Sequence, residues 1–307
     1  MIGEWAGSNF PSSPPSLTAT GNVNLSCIIV NYHNSHTLGD CLASIYQNPP
    51  ASEFEVILIN NSPNDTGWQP VVEQYPQAIC IENKRNLGFA SANNQGFSES
   101  RGQRTLFLNP DAILKPGAIE HMAEFLDAHP DVGIVGPRVL NSDGTIQMSC
   151  RRFPTLWTGL FNRYSLLSRW FPRNRFTRRY LMTDFDHDST MEVDWVSGCC
   201  MMVPQNVFEE AGRFDENYFL FNEDVDLCRS VWQKGYRVMY EPAAEVVHQI
   251  TTSHGKTDPR AIIKRHLGMS YYFKKHHRSN MLVQGMVDSV IALRCAAQLA
   301  FNLLRTP

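Results

Sequence analysis

The chain has 307 residues, 43% hydrophobic and 19% charged, with a formal net charge of −3. That length holds one large α/β domain or two small ones, and the even charge balance argues against a dedicated nucleic-acid binder. The eight cysteines contain no CxxC pair, which reads as reduced, mostly buried thiols of a cytoplasmic protein, not a disulfide frame or a zinc site.

Residues 1–24 are rich in Ser, Pro, Gly and Asn and lack both a basic start and an apolar core. A mobile, disordered tail is expected there, not a signal peptide. The apolar run at 25–31 predicts the first strand. Leu38, Cys41, Leu42 and Ile45 then recur at helical spacing within 36–48. Runs at 54–60 and 78–81 predict a second and a third strand, and 86–96 opens a helix. The fourth strand runs from Thr105 and stops at Asn109-Pro110, because proline gives no N–H and restricts the residue before it. Asp111 therefore lies just past the carboxyl end of a central strand, the edge where open α/β sheets bind ligands. A helix at 116–128 and a strand at 132–136 follow. This alternation predicts a mostly parallel, Rossmann-like sheet flanked by helices, with right-handed crossovers gathering the strand ends on one edge. No segment carries the ~18 uninterrupted apolar residues of a spanning helix.

That edge collects Asn31 and Tyr32, Asn60 and Asn61, Asn86, Gly88 and Asn93, and Asn109 with Asp111. There is no GxGxxG and no GxxxxGK[ST], so neither a dinucleotide site nor a P-loop is supported. Any one asparagine is accounted for as a turn former. Four clusters at successive strand ends favour a nucleotide read by side chains, with its diphosphate held by a metal.

Together, Ile-Ile-Val-Asn-Tyr (28–32), Ile-Asn-Asn-Ser (59–62), Asn-Leu-Gly-Phe-Ala-Ser-Ala-Asn-Asn-Gln-Gly (86–96) and Leu-Asn-Pro-Asp (108–111) resemble the nucleotide-sugar half of family 2 glycosyltransferases. The subgroup they resemble includes rhamnosyltransferases and galactofuranosyltransferases. The resemblance implies a GT-A fold, a nucleotide-sugar donor and inversion at the anomeric carbon. The family's metal motif is Asp-X-Asp, and Asn109 stands here at its first acid. Asn60 stands where an acid often contacts the base, and its amide oxygen can still accept from a pyrimidine N3–H.

Residues 151–180 hold eight arginines, no acid and eight aromatics. They read as a solvated face with core-filling aromatics, a nucleic-acid stacking platform, or a contact for anionic lipid headgroups. The net charge and the surrounding motifs disfavour nucleic acid.

Residues 192–203 predict one strand broken at Gly198, and Pro204 starts a helix. From Glu223 a helix begins with Glu223, Asp224 and Asp226 in its first turn, where acids complement the helix dipole. Trp195, Ser197 and Gly198, with the pattern that follows through Gly235-Tyr-Arg-Val238, resemble the family's acceptor side. The resemblance implies that Asp224, the second acid of the Glu223-Asp224 pair, is the general base for the acceptor hydroxyl. Asp226 is expected to organise the helix or an arginine. Strands at 236–240 and 244–248 follow. The resemblance further implies that His248 completes a Mn²⁺ or Mg²⁺ site with Asp111. Lys256 is expected on a loop that closes over the donor phosphates.

Residues 258–278 predict a helix ending in the basic cluster 274–278, and 281–304 a second, apolar helix. Gln284, Asp288, Arg294, Gln298, Asn302 and Arg305 share one stripe of it, and Asp288 and Arg294 argue against a span. Such a helix lies in an anionic membrane interface, or packs on the domain or on a second subunit of a homo-oligomer. The expectation is a GT-A catalytic domain at 25–257, with a nucleotide-sugar half (25–136), an acceptor half (137–257) and C-terminal helices at 258–307. It would be a metal-dependent inverting transferase of cell-surface glycan biosynthesis, peripheral at the inner face of the plasma membrane. It would move a sugar from dTDP-rhamnose, or from a UDP-sugar, to a glycan or lipid-linked acceptor. The rivals are a nucleotidyltransferase, whose Gly-rich signature is missing after the first strand, and an inactive sugar-nucleotide or glycan-binding module.

Overall fold

The computed structural model describes residues 23–155, 175–249, 257–277 and 280–304. Strand β1 (Leu25–Asn31) is buried along its whole length because its alternating side chains serve two cores. Leu25, Cys27 and Ile29 pack with α1 (Ser35–Tyr46) and α4 (Ala118–Ala128) on one face. Ile28 and Val30 pack on the other face with α3 (Phe89–Glu99), α6 (Gln205–Glu210) and α7 (Glu223–Gln233). Strands β2 (Phe54–Asn60) and β4 (Arg104–Leu108) flank β1 in parallel, and β3 (Ile79–Glu82) lies outside β2. A short α2 (Gln69–Val72) links β2 to β3.

Beyond β4 the sheet becomes mixed. Strand β10 (Cys200–Pro204) runs antiparallel between β4 and β6 (Val132–Leu140). Strand β11 (Arg237–His248) is parallel to β6, and β5 (Ala112–Leu114) and β8 (Met191–Val193) are antiparallel to β11. The order is β3-β2-β1-β4-β10-β6-β11-β5. The fold is therefore the helix-flanked α/β sheet expected, parallel through its first half.

Three details differ from the sequence reading. The single strand expected at 192–203 is three pieces: β8, β9 (Trp195–Val196) and β10. Asp194 interrupts it by turning its carboxylate to the Phe153 N–H (2.6 Å) and Arg152 (3.1 Å). Strand β9 then leaves the main sheet to pair with β7 (Cys150–Arg151) in a separate ribbon. The two strands expected at 236–240 and 244–248 are one, β11, with a register shift between Glu241 and Glu245. Pro242 lies inside that irregularity, where its missing N–H is tolerated. Strand β5 was not foreseen.

Helix α5 (Arg175–Leu181) closes the described part of the basic segment. The bulk of that segment, residues 156–174, lies outside the described residues, as do residues 1–22 of the tail. Helices α8 (Pro259–His276) and α9 (Met281–Leu304) pack side by side. The basic cluster at the end of α8 is not free for lipid. Lys274 pairs with Asp288, Lys275 with Asp215 and Asp226, and His276 with Asp226; Arg278 lies outside the described residues. The polar stripe of α9 turns inward. Asp288 accepts from Ser270, and the Asn302 amide accepts from Thr257 N and donates to Thr257 O. Leu282, Leu293 and Leu304 are left 81%, 72% and 82% exposed. By length and composition alone α9 could cross a membrane.

Candidate active site

At the carboxyl ends of β1 and β2 the asparagines bond to one another. Asn31 and Asn60 are fully buried. Asn31 Nδ2 donates to Asn60 Oδ1 (3.1 Å), and Asn31 Oδ1 accepts from Asn34 N. Asn60 Nδ2 donates to Ser62 O, and Asn60 Oδ1 also accepts from Ser62 N. The expectation that Asn60 reads a base thus meets a different geometry, because its amide is enclosed and faces protein on both sides. Asn61 is buried too. It donates to Asn86 Oδ1 and Gly88 O and accepts from Asn83 and Leu87 N, so it holds the 83–88 loop. Asn86 caps its own turn through Gly88 N, and Asn93 donates to Phe89 O. Gly88 sits at φ +88°, and a Cβ there would lie 2.6 Å from Phe219 O, so only glycine fits. Tyr32, by contrast, is 47% exposed, with its ring edge against His33.

Asp111 and His248 are 137 positions apart in sequence, and β5 brings them together. It pairs Ala112 with His248 in register, and Gln249 N donates to Asp111 O (2.8 Å). His248 Nε2 then lies 3.1 Å from Asp111 Oδ1 and 3.4 Å from Asn109 Nδ2, with both the Asp111 and His248 side chains under 15% exposed. The other ring nitrogen, Nδ1, meets Gln147 Oε1 at 2.9 Å. Gln147 donates its own amide N–H to Asn141 Oδ1 (3.0 Å), so its oxygen faces the ring and the imidazole proton sits on Nδ1. Nε2 is the nitrogen that faces the Asp111 carboxylate oxygen. A hard oxygen and an imidazole nitrogen with an oriented tautomer suit a divalent cation. Among the described residues no group of three or more His, Cys, Asp or Glu that could hold a metal is found.

Asp224 stands at the start of α7. Its Oδ2 accepts from Gly198 N (3.0 Å) and its Oδ1 from Val225 N (2.9 Å). A Cβ on Gly198 would lie 3.3 Å from Asp224 Cβ, so the close approach favours glycine. Burial raises the Asp224 carboxyl above its usual range, against the pull of those two N–H groups and of the Arg151 charge. The residue after Gly198 meets the other strand end: Cys199 O accepts from the N–H of Asn109 (2.9 Å), two residues before Asp111. Burial pushes the Cys199 thiol up to about 12, and the charges of both Asp111 and Asp224 add to that rise while Ser197 opposes it. The charges of Asp111 and Asp224 thus both reach Cys199.

Glu223 is only 5% exposed, and its Oε2 is buried without a hydrogen-bond partner. Burial first, then the neighbouring Asp224 charge, raises its carboxyl well above normal. Phe221 and Asn222, just before it, both have φ near +70°, a strained conformation for residues other than glycine. Helix α8 holds them there: Asn222 donates to Arg265 O, and the Arg265 guanidinium lies over the Phe221 ring. Asp226 points away from Asp224's partners and accepts from Tyr218, Lys275 and His276, so it ties α7 to α8 and not to an arginine. Trp195 is buried and donates from Nε1 to Arg152 O, while Ser197 N donates to Ser149 O (2.7 Å). Lys256 lies outside the described residues. The sequence reading missed Gln147 and also Asn94, whose amide bonds Phe214 and Glu216 and so joins the two halves.

The model of the family described as glycosyltransferase like family 2 matches residues 23–271. The N-acetylglucosaminyl-diphospho-decaprenol L-rhamnosyltransferase of Mycobacterium tuberculosis is 31% identical over 229 residues, covering 71% of this chain and 73% of its own. Among solved structures, a mannosyltransferase from Pyrobaculum calidifontis in complex with GDP-Man and Mn²⁺ is 17% identical, with a TM-score of 0.57 over 94% of this chain and 77% of its own. GalNAc-T7 with UDP, GalNAc and Mn²⁺ is also 17% identical, with a TM-score of 0.55 over 74% of this chain and 44% of its own. At that identity these two likenesses speak to the fold.

Proposed function

The chain belongs to glycosyltransferase family 2, and from that premise we propose that it is an inverting, metal-dependent rhamnosyltransferase acting on a lipid-diphosphate-linked sugar. The donor is dTDP-rhamnose, with a UDP-sugar as the alternative. Support for sugar and acceptor comes from the name of the mycobacterial relative. Support for the chemistry comes from one observation above all: Asp224 accepts from Gly198 N, and the next residue, Cys199, accepts at its carbonyl from the N–H of Asn109, two residues before the Asp111 that meets His248.

Asp224 is the general base. Each of its oxygens accepts one backbone N–H and keeps a lone pair for the acceptor hydroxyl. The hydroxyl oxygen attacks the anomeric carbon opposite the leaving diphosphate, its proton passes to Asp224, and the bonding pair departs with the diphosphate. Asp111 and His248 would hold Mn²⁺ or Mg²⁺, an assignment in line with the Mn²⁺ named in both solved neighbours. A divalent ion held there would neutralise the charge that grows on the departing diphosphate. Tyr32 offers an open ring for the base to stack on, while Asn31, Asn60, Asn61 and Gly88 fix the loops around it. The apolar outer face of α9 lies in the membrane interface, next to a lipid-linked acceptor. Co-sedimentation with liposomes that is lost in Leu293→Asp supports that placement, and unchanged co-sedimentation removes it.

The test of function is release of nucleoside diphosphate from a panel of sugar nucleotides with Mn²⁺. Acceptor-dependent dTDP release from dTDP-rhamnose, abolished by EDTA, is expected. Formation of nucleoside triphosphate and sugar 1-phosphate when pyrophosphate is added instead points to a nucleotidyltransferase, and donor binding without turnover to an inactive module.

A further inference from the structure

Among the described residues seven arginines pair with carboxylates. Arg151, beside the proposed base, does not. Its Nη2 donates to Met148 O at 3.3 Å, and its Nε is buried without a hydrogen-bond partner. Leaving such a donor unmet is costly unless a ligand meets it.

The position of Arg151 is built by the β7–β9 ribbon. The register sets Arg151 opposite Trp195, on the same face, and its guanidinium lies over the indole with 5.2 Å to the ring centroid. Stacking fixes the guanidinium plane, with Nη2 on Met148 O and Nε without a protein partner. The same ribbon leads through Ser197 to Gly198, which donates to Asp224. The Arg151 charge reaches Asp224, yet the two make no ion pair. Holding Asp224 ionised would need only a point charge. A planar fork with uncommitted donors suits an oxyanion brought by the substrate. The donor diphosphate is already assigned to Asp111 and His248. The acceptor's own diphosphate would sit one sugar ring from the attacking hydroxyl, which is one side chain from the base.

We propose that Arg151, stacked on Trp195, binds the diphosphate of the lipid-linked acceptor and so positions the acceptor hydroxyl at Asp224. This rests on the acceptor class proposed above. It makes Arg151 an acceptor-selecting residue, which nothing in the family resemblance assigned.

The probe is geranyl diphosphate, titrated into the full chain saturated with dTDP and Mn²⁺ so that the donor subsite is filled. Wild type is expected to bind it, with affinity weakened about tenfold or more in R151Q and less in R151K. Melting temperature and dTDP affinity should be unchanged in both variants. In the transfer assay R151Q should raise KM for a diphosphate-linked acceptor while kcat and donor KM hold. The same sugar on a plain alkyl chain should show no change. No binding by wild type, equal binding by R151Q, or equal loss on both acceptors overturns the proposal. So does a weakened dTDP affinity, which would put the phosphate on the donor, or a shifted pH profile with no change in binding. If binding depends on Arg151 but wild type releases nucleoside diphosphate from no donor, the anion subsite stands and the transferase reading falls.

Discussion

At the ends of β1 and β2, Asn31, Asn60 and Asn61 are buried, and their side-chain amides bond to one another or to neighbouring backbone. At the start of α7, Glu223 keeps a buried oxygen without a partner, Phe221 and Asn222 hold left-handed backbone, and Arg151 nearby lacks an acid. The end of β1 and β2, which we propose takes the donor, is thus a satisfied polar frame that shapes loops. The start of α7, which we propose faces the acceptor, keeps polar groups under-satisfied at a cost in stability. Changes on the donor frame should therefore act mainly on folding, and changes around α7 mainly on turnover.

The sharpest challenge to that contrast is Asp224→Asn. Turnover should fall about 1,000-fold, read as nucleoside diphosphate release, while donor affinity by calorimetry stays at the wild-type value. Weakened donor binding of comparable size would erase the distinction between the two sides. Asp226 comes next, because it belongs to α7 but serves the frame. Asp226→Ala leaves His276 without its buried partner and Lys275 with Asp215 alone and should cost about 3 kcal/mol in urea unfolding; a loss under half that would mean that α8 is held mainly by its other contacts. Asn61→Ala removes four hydrogen bonds from the buried 83–88 anchor and should cost about 2 kcal/mol, with kcat little changed once the protein is folded. A large kcat loss in a fully folded Asn61→Ala protein would show that the frame touches substrate.

Glu223→Gln has the smallest effect, and its sign is set by linkage. Glu223's folded pKa is raised above the ordinary 4.5 by burial and by Asp224. The unfolded chain then ionises first as pH rises, so the folded state is at full relative stability below the unfolded value and loses stability as pH climbs toward the folded one. Glu223→Gln removes that loss. Its melting temperature should match wild type near pH 4 and exceed it by about 2–4 °C near pH 8. A flat difference across that range would mean that Glu223 is ionised in the folded protein. Because Asp224 is also raised, the acid limb of kcat/KM should lie above the ordinary aspartate value of 3.8.

The strands were legible in sequence because β1, β2 and β4 are apolar runs with polar stops, and Asp111 followed from the Asn109-Pro110 break. The Asp111–His248 pairing came from resemblance alone. Its physical cause, β5, is three residues long, too short to show a period. The asparagines were visible, but not the direction they face, since a buried amide pair and a ligand-facing pair have the same spelling. The basic run 274–278 reads as a free patch until Asp215, Asp226 and Asp288 fold against it. The polar stripe of α9 was legible too. That it turns inward is set by α8, which the α9 sequence alone does not contain.

The most direct measurement is an anomalous difference map at the manganese edge from crystals grown with dTDP and Mn²⁺. One peak bonded to both an Asp111 oxygen and His248 Nε2, with Asp224 facing the same cleft, is the predicted result. A peak elsewhere, or nucleotide bound on a face away from Asp224, would contradict the shared site on which the transfer reaction is built.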